Sequence, residues 1–431
     1  MKYKAYTLHN FRQIPQIKNL SEKDKFEIEV VGNVLPFKTN NYVVNKLINW
    51  KNFKKDPFFI LNFPQKEMLN VSDYNKISDL LKSKASKQRI RQEVNRIRLT
   101  LNPNPAGQES NVPVINNKRL SGIQHKYREI MLFFPTQGQS CHAYCTFCFR
   151  WPQFALSEFK FAMNEVDVVI EYLKMNPEIT DLLITGGDPT IMKTRLFKEY
   201  FKALLDADIP NLKNIRIGTK SLSYWPYRYT TDDDAEELLA LFRKMMKRGI
   251  NMILMAHINH PGELKTKAVR KAVKNLVQAG VQIRSQSPLL RNINDKADIW
   301  AENWKEQVNL DIVPYYMFIA RDTGAQDYFA VSLNRAWQIF RNAYNQVSGI
   351  HRTVRGPSMS CNPGKVQIVG VSELKGEKVF VLNFLQGRDP DWVGRPFFAK
   401  FDPNAIWFDD LEPAFGRSEF FFEEAYIKMH A

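Results

Sequence analysis

The chain has 431 residues, of which 44% are hydrophobic, and this is ample for a globular protein with two or three packed units. The first residues lack the apolar run of a signal peptide and no stretch is as long as a membrane span, so the sequence predicts a cytoplasmic protein without a membrane partner. The formal net charge of +16 is compatible with nucleic acid, a membrane surface or an anionic substrate, and charge alone does not choose among them.

Residues 1–124 carry helical patterning, which is strongest from Ile77 to Leu101. The apolar residues that fall near one face there are Ile77, Leu81, Val94 and Ile97. The opposite face is basic and carries Lys82, Lys84, Lys87, Arg89, Arg91, Arg96 and Arg98. A nucleic-acid-binding helix would have this composition, but so does an ordinary solvated face, and we do not favour nucleic acid as a partner. The run Asn102-Pro-Asn-Pro-Ala-Gly predicts the end of the helix, followed by a linker or lid to about Lys118.

From about His125 to Gln346, apolar strand segments alternate with helical patterns, which is typical of parallel βαβ units. The predicted strands are Ile130 to Phe134, Leu182 to Thr185, Asn214 to Gly218, Met252 to Ala256, Val281 to Ser285 and Ile312 to Phe318. The predicted helices are Asn164 to Met175, Leu196 to Leu205, Asp234 to Arg248, Lys265 to Ala279 and Ala301 to Val308. Six such units predict an α/β fold in the form of a partial (β/α)6 barrel over residues 125–350.

The remaining residues, 351–431, are expected to form a small C-terminal cap. Within it, Val366 to Val371 and Val379 to Phe384 predict a hairpin that turns at Lys375-Gly-Glu.

Three of the four cysteines lie within eight residues, in Cys141-His-Ala-Tyr-Cys145-Thr-Phe-Cys148. This spacing indicates a four-iron, four-sulfur cluster with one iron left without a protein ligand. A structural zinc site would need a fourth ligand, and Cys361 has no neighbouring cysteine to pair with in a zinc motif. Four cysteines are also too few for disulfides to stabilise a chain of this length. The loop follows the first predicted strand, so the cluster is expected at the carboxyl-terminal mouth of the barrel.

The Cys-x3-Cys-x2-Cys spacing, together with Thr185-Gly186-Gly187-Asp188 after the second strand, resembles the radical S-adenosylmethionine (SAM) superfamily. The resemblance implies that SAM chelates the open iron and that Gly186, Gly187 and Asp188 edge its amino group. It also implies reductive cleavage of SAM to a 5'-deoxyadenosyl radical, with the electron coming from a donor such as flavodoxin or ferredoxin. Further SAM contacts implied in the same way are Phe147, His257 and Gln286.

Several longer motifs narrow the resemblance to the lysine 2,3-aminomutase family, of which the chain is identified as a divergent member. They lie between about Pro36 and Val371 and comprise His125-Lys-Tyr127, Met255-Ala-His257-Ile-Asn-His-Pro261, Ser285-Gln-Ser-Pro-Leu-Leu-Arg291 and Val313-Pro-Tyr-Tyr316. The resemblance implies a second cofactor, pyridoxal phosphate, bound by Lys126 and Tyr127 and held as a Schiff base by Lys365. The family's run of glycines before that lysine is replaced here by Ser-Met-Ser-Cys-Asn-Pro, which is a departure at the cofactor site.

The same resemblance suggests the substrate. Arg150 matches the position that binds the substrate carboxylate, and a bidentate arginine suits an amino acid. The two acids that receive the ammonium of lysine are replaced by Arg321 and Arg355, so we expect an amino acid of anionic character rather than lysine. Asp322 could substitute for one of these acids if the register slips by one residue.

Two other functions stay open at this stage. One is a pyridoxal-independent radical SAM enzyme that acts on another small molecule, a peptide or RNA. The other is a nucleic-acid-binding protein with a structural or redox-sensing cluster, although this leaves the Gly-Gly-Asp and Gln-Ser-Pro-Leu-Leu motifs unexplained. An imine absorbance band that disappears with borohydride would separate the aminomutase-like enzyme from the pyridoxal-independent one.

Overall fold

The computed structural model describes residues 1–101, 109–156, 160–321 and 323–429. Its strands are β1 (Ala5–Thr7), β2 (Lys38–Asn40), β3 (Val114–Ile115), β4 (Lys118–Arg119), β5 (Ile123–Tyr127), β6 (Ile130–Phe133), β7 (Asp181–Ile184), β8 (Asn214–Thr219), β9 (Asn251–His257), β10 (Gln282–Leu289), β11 (Ile312–Ile319), β12 (Arg355–Ser360), β13 (Gly364–Leu374), β14 (Glu377–Gly387) and β15 (Pro396–Lys400). Its helices are α1 (Glu22–Val34), α2 (Pro57–Asn62), α3 (Val71–Lys82), α4 (Lys87–Thr100), α5 (Trp151–Ala155), α6 (Val166–Met175), α7 (Thr194–Asp206), α8 (Ser221–Tyr224), α9 (Ala235–Lys247), α10 (Lys267–Gln278), α11 (Ala297–Val308), α12 (Gln326–Phe329), α13 (Leu333–Asn345) and α14 (Glu423–Lys428).

The main sheet contains eleven strands, which lie side by side in chain order from β5 to β15. The six strands from β6 to β11 are parallel to one another, with helices in every connection between them. An antiparallel strand, β5, flanks them on one side, and on the other β12 runs parallel to β11 before β13, β14 and β15 continue in antiparallel fashion. The predicted α/β class is therefore confirmed, and all six predicted strands and five predicted helices of residues 125–350 are present.

Alternation along the parallel strands gives the sheet one apolar face and one partly polar face. In β8, Ile215 and Ile217 are buried, while Arg216 between them and Gly218 after them are only half-buried. Because successive side chains of a strand point to opposite faces, the two isoleucines share one face and the arginine lies on the other. The helices that follow the strands also have one apolar face. In α10 the buried residues on that face are Val269, Ala272, Val273 and Leu276.

The buried apolar residues form two clusters. The larger contains the N-terminal helices and the strands up to β10, and the smaller contains residues of α11, α13 and the sheet from β12 to β15. The smaller cluster thus joins helices on one side of residue 350 to strands on the other. The division into units at 124 and 350 stays a prediction, and the main sheet itself begins at Ile123 and continues to Lys400.

The expectation of one helical segment from Ile77 to Leu101 was wrong in detail, since this segment holds two helices, α3 and α4. Lys84 adopts a left-handed conformation with φ of 52°, which ends α3. Ser86 then accepts a hydrogen bond from the backbone N–H of Arg89 and caps the start of α4. The predicted break at residues 102–107 lies outside the described residues.

The predicted C-terminal hairpin is present as β13 and β14, which pair antiparallel up to Leu374 and Glu377. The two residues of the turn, Lys375 and Gly376, both have positive φ, at 54° and 76°. This is the turn geometry that matches the twist of two paired strands. Among the described helices, none has both the length and the apolar composition needed to cross a membrane.

Candidate functional site

The cysteine loop lies directly after β6, at the carboxyl end of the parallel strands, as expected. Backbone hydrogen bonds hold it on three sides: Tyr144 N–H donates to the carbonyl of Lys38 at 2.7 Å, Thr146 N–H to that of Leu61 at 3.0 Å, and Asp188 N–H to that of Ser140 at 2.7 Å. The loop is thus attached to β2, to the end of α2 and to the segment after β7.

The three thiols of this loop influence one another and are half-buried. Burial raises the pKa of Cys145 to about 12 and that of Cys148 to about 11, and it raises the pKa of Cys141 further still, with Asp188 and the other two cysteines acting in the same direction. Within the described residues, no three ligand side chains converge on one metal ion. In a four-iron cluster, however, each thiolate binds a different iron, so a set of three separate cysteines fits such a cluster.

The glycines after β7 permit close packing against this loop. A Cβ atom on Gly187 would lie 2.6 Å from the carbonyl oxygen of Ser140, and one on Gly186 would lie 2.2 Å from the side-chain nitrogen of Gln139. Gly186 also has a φ of 151°, which side chains rarely allow. The Gly-Gly pair therefore holds the segment after β7 against the cysteine loop.

Asp188 is buried and its carboxylate is already hydrogen-bonded within the protein. It accepts hydrogen bonds from the hydroxyl of Thr190 at 2.6 Å, from that of Thr219 at 2.7 Å and from the backbone N–H of Lys220 at 3.0 Å. Burial nevertheless raises the pKa of Asp188. This carboxylate thus links the segment after β7 to the end of β8. Any contact with the amino group of SAM would be made in addition to these three hydrogen bonds.

The residues expected near SAM lie at the carboxyl ends of neighbouring strands. The rings of Phe147 and His257 are stacked, with centroids 6.1 Å apart and planes 15° apart. Gln286 in β10 pairs with His257 in β9, so both lie at the same level of the sheet. Burial, assisted by Lys220, lowers the pKa of His257 to about 3, and the imidazole is therefore neutral. A neutral ring and an amide at this edge fit a polar, partly aromatic ligand such as SAM.

The amine of Lys365 lies in an aromatic cage. Its Nζ atom is 4.1 Å from the ring centroid of Tyr316, 5.5 Å from that of Phe318 and 5.9 Å from that of Tyr127. The same atom donates a hydrogen bond to Oε1 of Gln386 at 2.8 Å. Burial lowers the pKa of Lys365 to about 7, and the charges of Arg216 and Arg355 lower it further. A large fraction of this amine is thus neutral near pH 7, as a Schiff-base lysine requires.

A second lysine lies beside it. Lys126 donates a hydrogen bond to the carbonyl of Cys361. Burial lowers its pKa to about 7, with Arg388, Lys365 and Arg321 adding to the effect. Two lysines of lowered pKa and two arginines, Arg388 and Arg321, therefore share this region, and Arg321 is paired with Asp409. A phosphate group would compensate their charge, so the residues here fit the phosphate of pyridoxal phosphate.

The three arginines expected to bind substrate lie against different aromatic groups. The guanidinium of Arg150 lies 4.5 Å from the ring centroid of Phe134, beside the cysteine loop. Arg321 lies 4.7 Å from the ring of Trp407 and forms an ion pair of 3.5 Å with Asp409. Arg355 lies 5.0 Å from the ring of Tyr315 at the start of β12. Asp322, the alternative acid, is outside the described residues.

Sequence reasoning missed several members of the site: Arg216, Arg284, Gln386 and Arg388. Each is an ordinary polar residue in its own strand or loop, and only the packing of the sheet brings Arg216 and Gln386 near Lys365, Arg388 near Lys126 and Arg284 near Tyr315. The one local signal was the placement of Arg216 between two isoleucines in a strand, where an arginine is uncommon.

No protein-family model matches the chain. A relative named putative L-lysine 2,3-aminomutase, from Aquifex aeolicus, is 31% identical over 394 residues, which cover 91% of this chain and 92% of the relative. The L-lysine 2,3-aminomutase of Methanococcus maripaludis is 24% identical over 343 residues, with 80% and 67% covered. That of Escherichia coli is 30% identical over 228 residues, with 53% and 63% covered.

Solved structures with similar coordinates include a radical SAM methyltransferase from Sphaerobacter thermophilus, with a TM-score of 0.37 and 12% identity over 67% of this chain and 94% of that one. Another is Streptococcus suis SuiB bound to the precursor peptide SuiA, with a TM-score of 0.35 and 12% identity over 64% and 57%.

Proposed function

Because the chain belongs to the lysine 2,3-aminomutase family of radical SAM enzymes, we propose that it moves an amino group on an amino acid with an anionic side chain, and not on lysine. The observation that carries this proposal is the amine of Lys365, which lies in an aromatic cage with a pKa of about 7 and only cationic charges beside it. Such an amine suits a Schiff base, and such surroundings suit anions.

Two cofactors and one cluster belong to the proposal. Cys141, Cys145 and Cys148 would hold the four-iron cluster, and Phe147, Gly186, Gly187, Asp188, His257 and Gln286 would hold SAM. Lys126, Tyr127 and Lys365 would hold pyridoxal phosphate. When bound, these groups supply hydrogen abstraction by a 5'-deoxyadenosyl radical and delocalisation of the unpaired electron beside the migrating amino group. A flavodoxin or ferredoxin would supply the electron, and a reducing cytoplasm would suit the cluster.

The chain's own residues contribute position and charge. We infer that the parallel strands β6 to β11 curve into a partial barrel, which would bring the cysteine loop and Lys365 to a common interior. Arg150, next to the loop, is the proposed partner of the substrate carboxylate. Gln386 fixes the direction of the Lys365 amine through its hydrogen bond of 2.8 Å. The cationic surroundings of that amine disfavour the distal ammonium of lysine.

The test is anaerobic reconstitution with iron, sulfide, SAM and dithionite, followed by measurement of 5'-deoxyadenosine. We expect slow release without substrate and stimulation by glutamate or phosphorylated amino acids above that by lysine. Each charge-assisted pair contributes about 1.5 to 3 kcal/mol, which corresponds to a preference of more than tenfold for the anion. Lysine as the best substrate would contradict the proposed substrate class.

The same preparation also tests whether the protein uses pyridoxal phosphate or is a pyridoxal-independent radical SAM enzyme with the same fold. Added pyridoxal phosphate should give an imine absorbance band that borohydride removes, and peptide mapping should find the reduced adduct on Lys365. The absence of an adduct in a preparation that still cleaves SAM would favour the pyridoxal-independent enzyme.

A further inference from the structure

Two guanidinium groups lie against the ring of Tyr315. The Cζ atom of Arg284 is 5.2 Å from the ring centroid and that of Arg355 is 5.0 Å from it. Tyr315 belongs to β11, and the arginines belong to β10 and β12, the two strands that flank it in the sheet. Both guanidinium groups thus reach the same ring, one from each of the two strands that flank β11.

Among the described residues, no carboxylate pairs with either of these two charges. A third arginine nearby, Arg216, forms an ion pair of 2.7 Å with Asp181. Across the residues that the structure describes, neither Arg284 nor Arg355 has a carboxylate within ion-pair distance. Arg355 is exposed and Arg284 is half-buried, so a soluble ligand can reach both. A guanidinium that rests on an aromatic ring keeps its N–H groups in a planar fork, which suits a carboxylate or a phosphate.

A row of rings connects this pair of arginines to Lys365. The ring centroids of Tyr315 and Tyr316 are 4.4 Å apart. Arg355 lies 6.0 Å from the centroid of Tyr316, and Nζ of Lys365 lies 4.1 Å from the same centroid. The ring of Tyr316 therefore contacts both the amine of Lys365 and the guanidinium of Arg355. A small molecule with a nitrogen at Lys365 could place an anionic group at Arg355 and Arg284.

The geometry points to Arg284 and Arg355 as the pair that binds the negatively charged end of the substrate, a carboxylate or phosphate group, with Tyr315 holding both guanidinium planes. This assignment rests on the proposed function for the position of the substrate amine, while the anion site itself depends only on the contacts above. Arg321, which lies beside Trp407 and near Lys126, would then belong with the cations that suit the cofactor phosphate.

The experiment measures the affinity of the full-length, reconstituted protein for two probes, glutarate and methyl phosphate, by titration calorimetry. The variants are Arg284→Gln and Arg355→Gln, with Arg335→Gln on the exposed side of α13 as the matched control. We expect about a tenfold loss of affinity for at least one probe in each site variant, which corresponds to one charge-assisted hydrogen bond. A loss for glutarate identifies a carboxylate ligand, and a loss for methyl phosphate identifies a phosphorylated one.

Two further variants keep the result interpretable if a glutamine variant folds poorly. Tyr315→Phe retains the ring and should bind both probes like the unmodified protein, whereas Arg284→Lys retains the charge without the fork and should bind about threefold more weakly. Unchanged affinities in both glutamine variants would overturn the assignment. Release of 5'-deoxyadenosine, measured on the same samples, tests the proposed function separately, because its absence would leave the binding result standing.

Discussion

Lys126 and Lys365 are two buried amines in a region where the described residues place no carboxylate beside either nitrogen. Transfer from water disfavours the charged form of an amine, and neighbouring cations disfavour it further. Both effects lower the pKa of each lysine to about 7. At neutral pH a substantial part of each amine is therefore neutral, and a neutral amine is the form that attacks a carbonyl carbon.

This gives a prediction for stability. Both lysines have a lower pKa in the folded chain than in the unfolded chain, so between about pH 7 and 8, below the pH at which the thiols of the unfolded chain ionise, the unfolded chain binds more protons. The free energy of unfolding should rise with pH over this window, by about 1.4 kcal/mol per pH unit for each lysine. Urea unfolding at several pH values measures the slope. Lys365→Met should reduce it, whereas Lys271→Met, on the exposed side of α10, should not.

The cysteine loop gives a second prediction at the level of single residues. Cys145→Ala should lose most of its iron after reconstitution and should release no 5'-deoxyadenosine, because three thiolates are the fewest that hold a four-iron cluster with one open iron. Cys361→Ala is the matched control, since this cysteine is buried elsewhere and supplies its carbonyl to Lys126. Full iron content in the Cys145→Ala protein would show that the loop is not the ligand set.

The sequence predicted the three cysteines from a short motif, and it predicted Lys365 from its position in a family motif whose glycines are replaced here. It did not identify Arg284 or Arg388, because these residues acquire their role from neighbours far away in the chain. Arg284 becomes part of a site only when β10, β11 and β12 lie side by side, and that pairing is a property of the whole sheet.

Two segments that follow neighbouring strands, the cysteine loop after β6 and the Gly-Gly-Asp segment after β7, lie against each other. The backbone N–H of Gly187 donates to the carbonyl of Gly138 at 3.1 Å, and that of Asp188 donates to Ser140. The cysteine loop and the Gly-Gly-Asp segment therefore pair through their backbones, and the small size of glycine is a condition for that pairing. The cysteine motif and the Gly-Gly-Asp motif are therefore constrained by this contact between their backbones, in addition to any constraint that a bound cofactor would impose.

A prediction for these elements is that Gly187→Ala displaces the cysteine loop, since its Cβ would approach the Ser140 oxygen to 2.6 Å. Iron retention during dialysis should fall at least severalfold. Gly218→Ala in the adjacent strand β8 is the control, because its Cβ would meet Thr185 at an ordinary 3.4 Å. Equal retention in the two variants would mean that the loop can shift without loss of its ligands.

Helical patterning misled at the segment from Ile77 to Leu101. The apolar residues keep a helical period within α3 and within α4, but Leu81 and Val94 would lie on different faces of a continuous helix, so the period itself indicated a break between them. The local signals were Ser83 and Ser86, which favour helix ends because their hydroxyls bond to backbone groups. Of the basic residues on this segment, Arg96 pairs with Asp73 and Glu93, and Arg98 donates to the carbonyls of Val34, Asn33 and Ala155. These contacts support a structural role for both.

At the scale of the molecule, one sheet joins the parallel strands to the C-terminal strands. The alternation of strand and helix predicted the parallel part well, because each unit is local in sequence. It did not predict that β12 to β15 extend the same sheet, since β12 contains Gly356 and Pro357, which argue against a strand in the sequence. Gln386 and Lys365 are brought together by this extension.

The smaller core cluster contains residues from both sides of residue 350, and this predicts one cooperative unfolding transition for the chain. Trp392 lies in the smaller core, 5.7 Å from the ring of Phe384 and 5.6 Å from that of Phe422. Trp392→Ala should destabilise the entire chain by about 3 to 5 kcal/mol, the usual cost of a large cavity. Urea unfolding followed by tryptophan fluorescence and by far-ultraviolet circular dichroism should give coincident midpoints. Val393→Ala, at an exposed neighbour, should have little effect, and separated midpoints would indicate an independent cap.

The two lysines of lowered pKa also link ligand binding to solvent protons. An anion that settles beside Lys126 and Lys365 favours their charged forms, so above pH 7 its arrival must be accompanied by proton uptake from the buffer. Affinity for anions should consequently decline as the solution becomes more alkaline, although the folded state itself becomes more stable. Calorimetric heats of anion binding should then vary with the ionisation enthalpy of the buffer, because the buffer donates those protons.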